Sequence, residues 1–486
     1  MTLFLITTII LFKSYFGTDG CLSPDSTHYL ALAQSLLDGN GMYTSSHSSS
    51  QDLIYFAIWP AGYPTLIAIL SKLTGISVFW SSKLVNIILI TGILLVFLKL
   101  FGKSAYAYGF ILLFGSYIEI YSYTWSEAPF IFGLVIFAAS ISNLIKNQSS
   151  RSSEWFFHFL GVCLTSLILF FSRYIGAFST GVIGILSLYF IFIKRNLKIG
   201  SALVSILILN GIIIFLYLYN NSIKTGYSTG IPRIPSPETN FELAHSLLKS
   251  FFSELIFPVA NFSLHPLMIL VLFSEVVILM LIAWFTRTSV QNYLKNRKID
   301  TITVIFFLIG IIYLISIIMM RWLVHFDGFS FRLIAPGTFL IFISVLHSLE
   351  LSFNKKHFRL LSLGILVIGF IAIFCQALYP AYKIKTPSYL ENIEKIKADF
   401  KNIEARSFVV FGNKHLNYLR PDISVVNPKS LPYSNEMETL DDFLGRLGLR
   451  RHIYIQVPEK ISDKKYHDSI IEFVQKYRAG EIIKIR

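Results

Sequence analysis

Along residues 1–379 the chain repeats one pattern, long apolar runs interrupted by a few polar or basic positions. At about 1.5 Å of helix rise per residue, most of these runs cover a hydrocarbon layer of ~30 Å. Breaking them at the polar punctuation predicts eleven spans, near 1–16, 79–98, 104–122, 128–145, 155–172, 175–193, 199–219, 264–285, 301–320, 333–350 and 358–379. The first run is short and contains Lys13. It lacks the basic leader and small-residue cleavage site of a signal peptide, so it reads as a retained span. Two other segments are not spans. Ser26–Leu37 repeats apolar residues at helical spacing with polar ones between, and Tyr63–Leu73 is too short to cross, so both read as helices lying at the membrane surface. Residues 220–262 are polar, with Pro232, Pro235 and Pro237 close together, and read as a partly irregular external excursion. After Pro380 the pattern changes to short strand-like runs, SFVVFG, ISVVNP and HIYIQVP, alternating with helical stretches such as Thr439–Leu447 and Asp468–Tyr477. The expected fold is an all-α polytopic membrane protein of about eleven transmembrane helices over 1–379, with a first external loop at 17–78. A small extracytoplasmic α/β domain follows over 380–486.

Composition agrees with the pattern: 54% of residues are hydrophobic and 14% charged, and the mean hydropathy is +0.62, which excludes an ordinary soluble domain. Placing the N-terminus in the cytoplasm puts Lys99, Lys103, Lys146, Arg151, Lys194, Arg195, Lys198, Arg287, Lys295, Arg297, Lys298, Lys355, Lys356 and Arg359 in inside loops. The outside loops then hold Arg173, Lys224, Arg233, Lys249, Arg321 and Arg332, and Gly17–Leu70 has no Lys or Arg at all. This bias sets the orientation, with the C-terminus outside; in a bacterium that is an inner-membrane protein with its C-terminus in the periplasm. The net charge of +14 therefore reports cytoplasmic loops and not a nucleic-acid partner. Cys21, Cys163 and Cys375 are scattered, with neither disulfide nor zinc spacing, and no Gly-rich nucleotide loop is present.

The polar residues of the outer ends are the candidates for chemistry. Asp25 opens the surface helix, where a carboxylate can cap free backbone N–H groups. It also lies in a loop whose four acids, Asp19, Asp25, Asp38 and Asp52, have no basic neighbour in sequence, so it can serve as a general base. Ser126-Glu127 starts the fourth span, where the bland role is again capping. Arg173 interrupts an otherwise continuous apolar stretch; it either snorkels or meets a phosphate. Arg321, His325, Asp327 and Arg332 cluster before the tenth span and can satisfy one another. Glu275 falls mid-span, with Lys83 as a candidate structural partner. Acids and arginines gathered at external span ends suit group transfer at the membrane surface: one base to take the acceptor's proton and cations to hold a leaving phosphate.

Asp25 with Tyr29 four residues on, the following ALAQSLLDGNGMY, and Trp59-Pro60-Ala61-Gly62-Tyr63-Pro64 before a short apolar helix resemble the GT-C membrane glycosyltransferases. The branch is that of the protein O-mannosyltransferases and the lipid A aminoarabinose transferase. SRYIGA (172–177) looks like that family's basic hairpin motif and FRLIAPGTF (331–339) like its RY-x-x-P segment, so the likeness extends over most of 17–350. It departs from the family in its single Asp25, in Pro60-Ala61-Gly62 where a proline pair is usual, and in Leu333 where Tyr follows the arginine. The resemblance implies a polyprenyl-phosphate-linked hexosyl or pentosyl donor, a glycan, glycolipid or protein acceptor, and inverting transfer on the non-cytoplasmic face. It implies Asp25 as catalytic base, Glu127 as a second acidic residue, and Arg173 and Arg332 at the donor phosphate, with His28, Tyr29, Tyr174 and Asp327 beside the substrate. No cofactor is required, because arginines neutralise the phosphate; Asp25 and Glu127 are the residues to bind a divalent metal if one is used. The alternatives are a transporter or flippase of lipid-linked sugars and a non-enzymatic membrane scaffold.

Overall fold

The structure, a computed structural model, describes residues 1–17, 19–45, 53–147, 152–258, 266–295, 300–326, 328–383, 388–426, 439–447, 452–458 and 466–485. Helix α1 (Thr2–Phe16) is followed by α2 (Pro24–Leu37), an antiparallel hairpin of β1 (Tyr43–Ser45) and β2 (Leu53–Tyr55), and α3 (Gly62–Thr74). Then come α4 (Val78–Phe101), α5 (Ala105–Phe110), α6 (Gly115–Ser122), α7 (Glu127–Lys146), α8 (Ser152–Ser172), α9 (Phe178–Leu188) and α10 (Leu197–Thr225). The remaining helices of this region are α11 (Asn240–Leu255), α12 (Pro266–Lys295), α13 (Thr301–Leu323), α14 (Phe331–Ser352) and α15 (Lys355–Lys383). The C-terminal region runs α16 (Tyr389–Asp399), β3 (Phe408–Val410), α17 (Leu416–Leu419), β4 (Ser424–Val426), α18 (Leu440–Leu447), β5 (Ile453–Gln456), α19 (Asp468–Val474) and β6 (Ile482–Lys484).

Among the described residues, nine helical segments are long and apolar enough to cross a membrane: 78–113, 127–146, 154–172, 174–193, 197–225, 269–287, 301–323, 331–352 and 355–377. This is a polytopic all-α membrane protein with a small α/β part. The difference from eleven lies in two places. Helix α1 has only 15 residues, about 23 Å of rise. The run expected as one span at 104–122 is broken: α5 and a 3₁₀ turn end at Phe114, whose backbone is extended, before α6 resumes. The Gly115 N–H freed by that break donates to the Phe257 carbonyl at 2.7 Å, since a buried backbone group away from water must be satisfied from within. The excursion after α10 also differs, because it contains the amphipathic α11, started by a capping box between Thr239 and Glu242.

Packing divides the chain into two units. The first comprises Met1–Cys21, Ala57–Tyr63 and Ser82–Lys385; the second comprises Leu22–Phe56, Pro64–Ser81 and Thr386–Arg486. In the first, α13 packs on α14, α7 on α8 and α9 on α10. Lys13, the charge in the short first helix, pairs with Glu119 of α6 and donates to Gln376 of α15 at 2.6 Å, so its burial is compensated. In the second, β4, β3 and β5 are parallel neighbours and β6 adds antiparallel to β5, giving the order β4-β3-β5-β6. Phe408, Val410, Val426, Phe443, Ile453 and Ile455 form its core. Strands β3, β4 and β5 and helices α18 and α19 are those expected from the sequence; β6 was not. The first external loop contributes most of its length, including α2, to this second unit.

Candidate functional site

The first unit brings three of the candidate residues together. Glu127 is the first residue of α7, Arg173 is the extended residue between α8 and the turn before α9, and Arg332 is the second residue of α14. The Arg173 guanidinium lies 2.6 Å from Glu127 Oε1 as an ion pair, and Arg332 Nε donates to the same oxygen at 2.9 Å. The Glu127 side chain is 1% exposed, while those of Arg173 and Arg332 keep 19% and 20%. One buried carboxylate thus holds two guanidiniums that each stay partly exposed, and the group carries a net single positive charge. Such forks match phosphate oxygens. Glu127 Oε2 has no hydrogen-bond partner among the described residues. Ser126 is the cap position of α7 but makes no capping side-chain bond, so the bland capping account does not explain this pair.

Neighbouring aromatics and close backbone contacts fix the arrangement. The Arg332 guanidinium lies 4.0 Å over the Trp125 ring, which stacks on Tyr123 at 4.2 Å. Tyr313 donates to the Leu333 carbonyl at 2.9 Å and tethers the start of α14 to α13. The Tyr174 hydroxyl donates to the Ala57 carbonyl at 2.7 Å and accepts from Asn221 at 3.0 Å. It therefore holds the chain beside Arg173, and the expected substrate contact through that hydroxyl competes with an existing role. Gly62 sits so close to α8 that a Cβ on it would lie 2.5 Å from the Phe171 carbonyl oxygen. The Trp-Pro-Ala-Gly-Tyr segment and the arginine hairpin, over 100 residues apart in sequence, are thus packed against each other.

Two sequence expectations are corrected here. Arg321 and His325 do not join Arg332: Arg321 donates to Ser236 at 2.8 Å and pairs with Glu238, and His325 lies 3.3 Å from the same carboxylate. Hydrogen bonds from Arg321 and Ser236 hold the Glu238 carboxyl down to about 2. Asp327 lies outside the described residues. Lys83 does not pair with Glu275. It is fully buried and donates to the carbonyls of Ser122 (2.7 Å) and Cys21 (3.3 Å) and to Thr124 (3.4 Å), because the carboxyl end of α6 is the nearest negative pole. Glu275 instead accepts the Phe257 N–H at 3.2 Å.

In the second unit Asp25 occupies the first turn of α2, but the cap is Ser23, which exchanges side-chain bonds with Ser26. Asp25 is half-buried, as is His28 one turn on, and Tyr29 is buried at 2% exposure. Capping therefore does not account for Asp25. The loop's lack of a basic residue is not the folded situation either, since Lys414 of the C-terminal region reaches this turn. Tyr313 at the start of α14 and Lys414 at the turn bearing Asp25 were not found from the sequence, because each is brought in from a distant part of the chain. Among the described residues no group of three His, Cys, Asp or Glu side chains is placed to hold a metal ion.

No protein-family model and no curated protein sequence matches this chain. Among solved structures, that of ArnT from Cupriavidus metallidurans bound to undecaprenyl phosphate is similar over 99% of this chain and 96% of its own, with a TM-score of 0.56 at 9% identity. This chain shares the fold of that structure. The Archaeoglobus fulgidus oligosaccharyltransferase in its apo form also matches, over 93% of this chain and 69% of its own, with a TM-score of 0.48 at 10% identity. In this fold Asp25 lies on the stretch between α1 and α4 that belongs to the second unit, and the Glu127 cluster lies at the starts of α7 and α14 in the first.

Proposed function

We propose that this protein is a membrane glycosyltransferase that moves a sugar from a polyprenyl-phosphate-linked donor to an acceptor on the non-cytoplasmic face. The observation that carries this reading is the pair of guanidiniums on one buried carboxylate, in a chain with the fold of a protein solved with undecaprenyl phosphate. The reaction is a single displacement with inversion. An acceptor hydroxyl oxygen attacks the anomeric carbon while Asp25 takes its proton. The bond from that carbon to the phosphate oxygen breaks, and its electron pair leaves on the polyprenyl phosphate. Arg173 and Arg332 neutralise the charge that develops there, so no strong general acid is needed. Glu127 aims the two arginines. His28, Tyr29 and Asp327 are assigned to the sugar and acceptor. A divalent cation does not suit Glu127, whose coordinating oxygen already faces two guanidiniums. The hexosyl or pentosyl donor and the glycan, glycolipid or protein acceptor follow from the resemblance alone, while the charge bias supports a C-terminus outside, in the periplasm if the membrane is a bacterial inner membrane.

The test is transfer of label from a panel of polyprenyl-phosphate sugars by the purified protein in detergent, with Asp25→Asn and Arg332→Gln beside wild type. Expected are turnover by wild type with one donor, loss of at least ~100-fold in kcat for Asp25→Asn, and a raised donor KM for Arg332→Gln. Binding of a donor with neither transfer nor hydrolysis would favour the transporter reading, for which buried Glu275 is the residue to examine.

A further inference from the structure

The second unit joins the C-terminal region to the turn that carries Asp25. After β3 the chain bends through 411–415 into α17, which packs on α2. The bend is pinned by the Asn413 N–H, which donates to Gln456 Oε1 of β5 at 2.9 Å. From it Lys414 Nζ donates to the Leu22 carbonyl at 2.9 Å, and Asn417 Nδ2 donates to Thr27 Oγ1 at 3.4 Å. Thr27 in turn donates to the Pro24 carbonyl at 2.7 Å, closing the first turn of α2. Leu22 and Thr27 bracket Asp25, so both ends of the turn bearing the carboxylate are held from positions almost 400 residues later in the chain.

The support continues inward. Tyr418 shares a hydrogen bond with the Tyr389 hydroxyl at 2.8 Å and lies 3.2 Å from His415 Nδ1, and Tyr389 stacks on Phe79 with ring centroids 4.0 Å apart. Asn417 is buried, and its Oδ1 has no partner among the described residues. An amide left half-satisfied in an apolar contact is a poor choice for stability alone, since an apolar side chain of similar volume avoids the desolvation cost. The ammonium of Lys414 supplies the positive charge that the loop 17–70 lacks in sequence.

We propose that Lys414 and Asn417 are positioning residues for Asp25, so that the C-terminal domain is a working part of the transfer site and not an appendage. Asn417 fixes the turn at Thr27 and Lys414 fixes it at the Leu22 carbonyl. The proposal rests on the reading of Asp25 as the base.

The experiment compares wild type, Asp25→Asn, Lys414→Met, Lys414→Arg and Asn417→Leu as full-length protein in detergent. It reads kcat, the donor KM and hydrogen exchange across residues 22–30. Lys414→Met is expected to lower kcat roughly 10- to 100-fold at nearly unchanged KM. Hydrogen exchange in 22–30 quickens in the same variant, because the tie to the Leu22 carbonyl is lost. Lys414→Arg restores both. Asn417→Leu is expected to fold with an unchanged or higher thermal midpoint while kcat falls and exchange in 22–30 quickens. Wild-type kcat in Lys414→Met or in Asn417→Leu overturns the positioning role of that residue. Wild-type turnover in Asp25→Asn sinks the base reading itself. Hydrogen exchange separates these failures, because unchanged protection of 22–30 in both variants refutes the proposal whatever the turnover.

Discussion

At the scale of single residues, the decisive feature is how Glu127 is compensated. Its burial is tolerated because two guanidiniums converge on one oxygen, and removing the carboxylate charge leaves two mostly buried cations facing each other. Breaking a buried pair in this way costs about 3 kcal/mol, reduced somewhat here because each arginine keeps an exposed edge. Glu127→Gln is therefore expected to lower the thermal midpoint in detergent by several degrees, and a midpoint equal to wild type would show that the carboxylate does not hold the arginines. Reducing the repulsion should restore much of the loss, so Glu127→Gln combined with Arg173→Met is expected to be more stable than Glu127→Gln alone. Sequence reading found all three residues individually, because each interrupts an apolar run. It did not find that Glu127 and Arg332, 205 positions apart, share a bond, since spacing along a chain says nothing about which span ends meet. For the same reason it offered Lys83 to Glu275, when the helix end beside Lys83 was the stronger attraction.

At the scale of elements, the loop before α11 and the tight contact of α3 with α8 each carry a prediction. The loop is latched to the end of α13 through Glu238, whose carboxyl is held down to about 2 by hydrogen bonds from Arg321 and Ser236. A depressed carboxyl contributes stability above its unfolded-state pKa and loses it as pH falls through the folded value. Protease sensitivity of residues 226–239 should then be low at neutral pH and rise as pH drops from the ordinary carboxylate range towards about 2. Arg321→Met should be sensitive throughout. At Gly62 the contact is with backbone, 2.5 Å from a would-be Cβ to the Phe171 oxygen, and backbone cannot swing aside. Gly62→Ala is expected to cost roughly 1–3 kcal/mol, measured as a lower thermal midpoint. Gly181→Ala, in α9 with nothing within 4 Å of the added Cβ, should be neutral or slightly stabilising. Equal effects at the two positions would refute the close-approach argument. Most helices were legible from apolar run length, and α2 from its spacing. The break at Phe114 was not, because the carbonyl that accepts from Gly115 comes from Phe257, far along the chain.

At the scale of the molecule, the first unit has two polar ends. Glu127 and Arg332 stand at the starts of α7 and α14. The other ends of the same helices carry Lys146 and His347, which meet Asp300 at 3.4 Å each, while Tyr108 donates to Glu350 at 2.5 Å. A 20-residue helix such as α7 separates these groups by about 30 Å. The second group lies among the basic loops that the charge bias assigns to the cytoplasm, and the first lies opposite, which is where a donor presented on the outer leaflet would have to be met. That orientation is testable with cysteines placed at exposed positions, since native Cys21 and Cys163 are buried and Cys375 is half-buried. Ser228→Cys, before α11, and Gln475→Cys, at the end of α19, should react with a membrane-impermeant thiol reagent on intact spheroplasts. Asn354→Cys, between α14 and α15, should react only after lysis. The reverse pattern would place Arg173 and Arg332 in the cytoplasm. It would leave the fold intact but remove the outer-face reaction, because the same guanidiniums would then face a compartment where the lipid-linked donor is presented from the opposite leaflet.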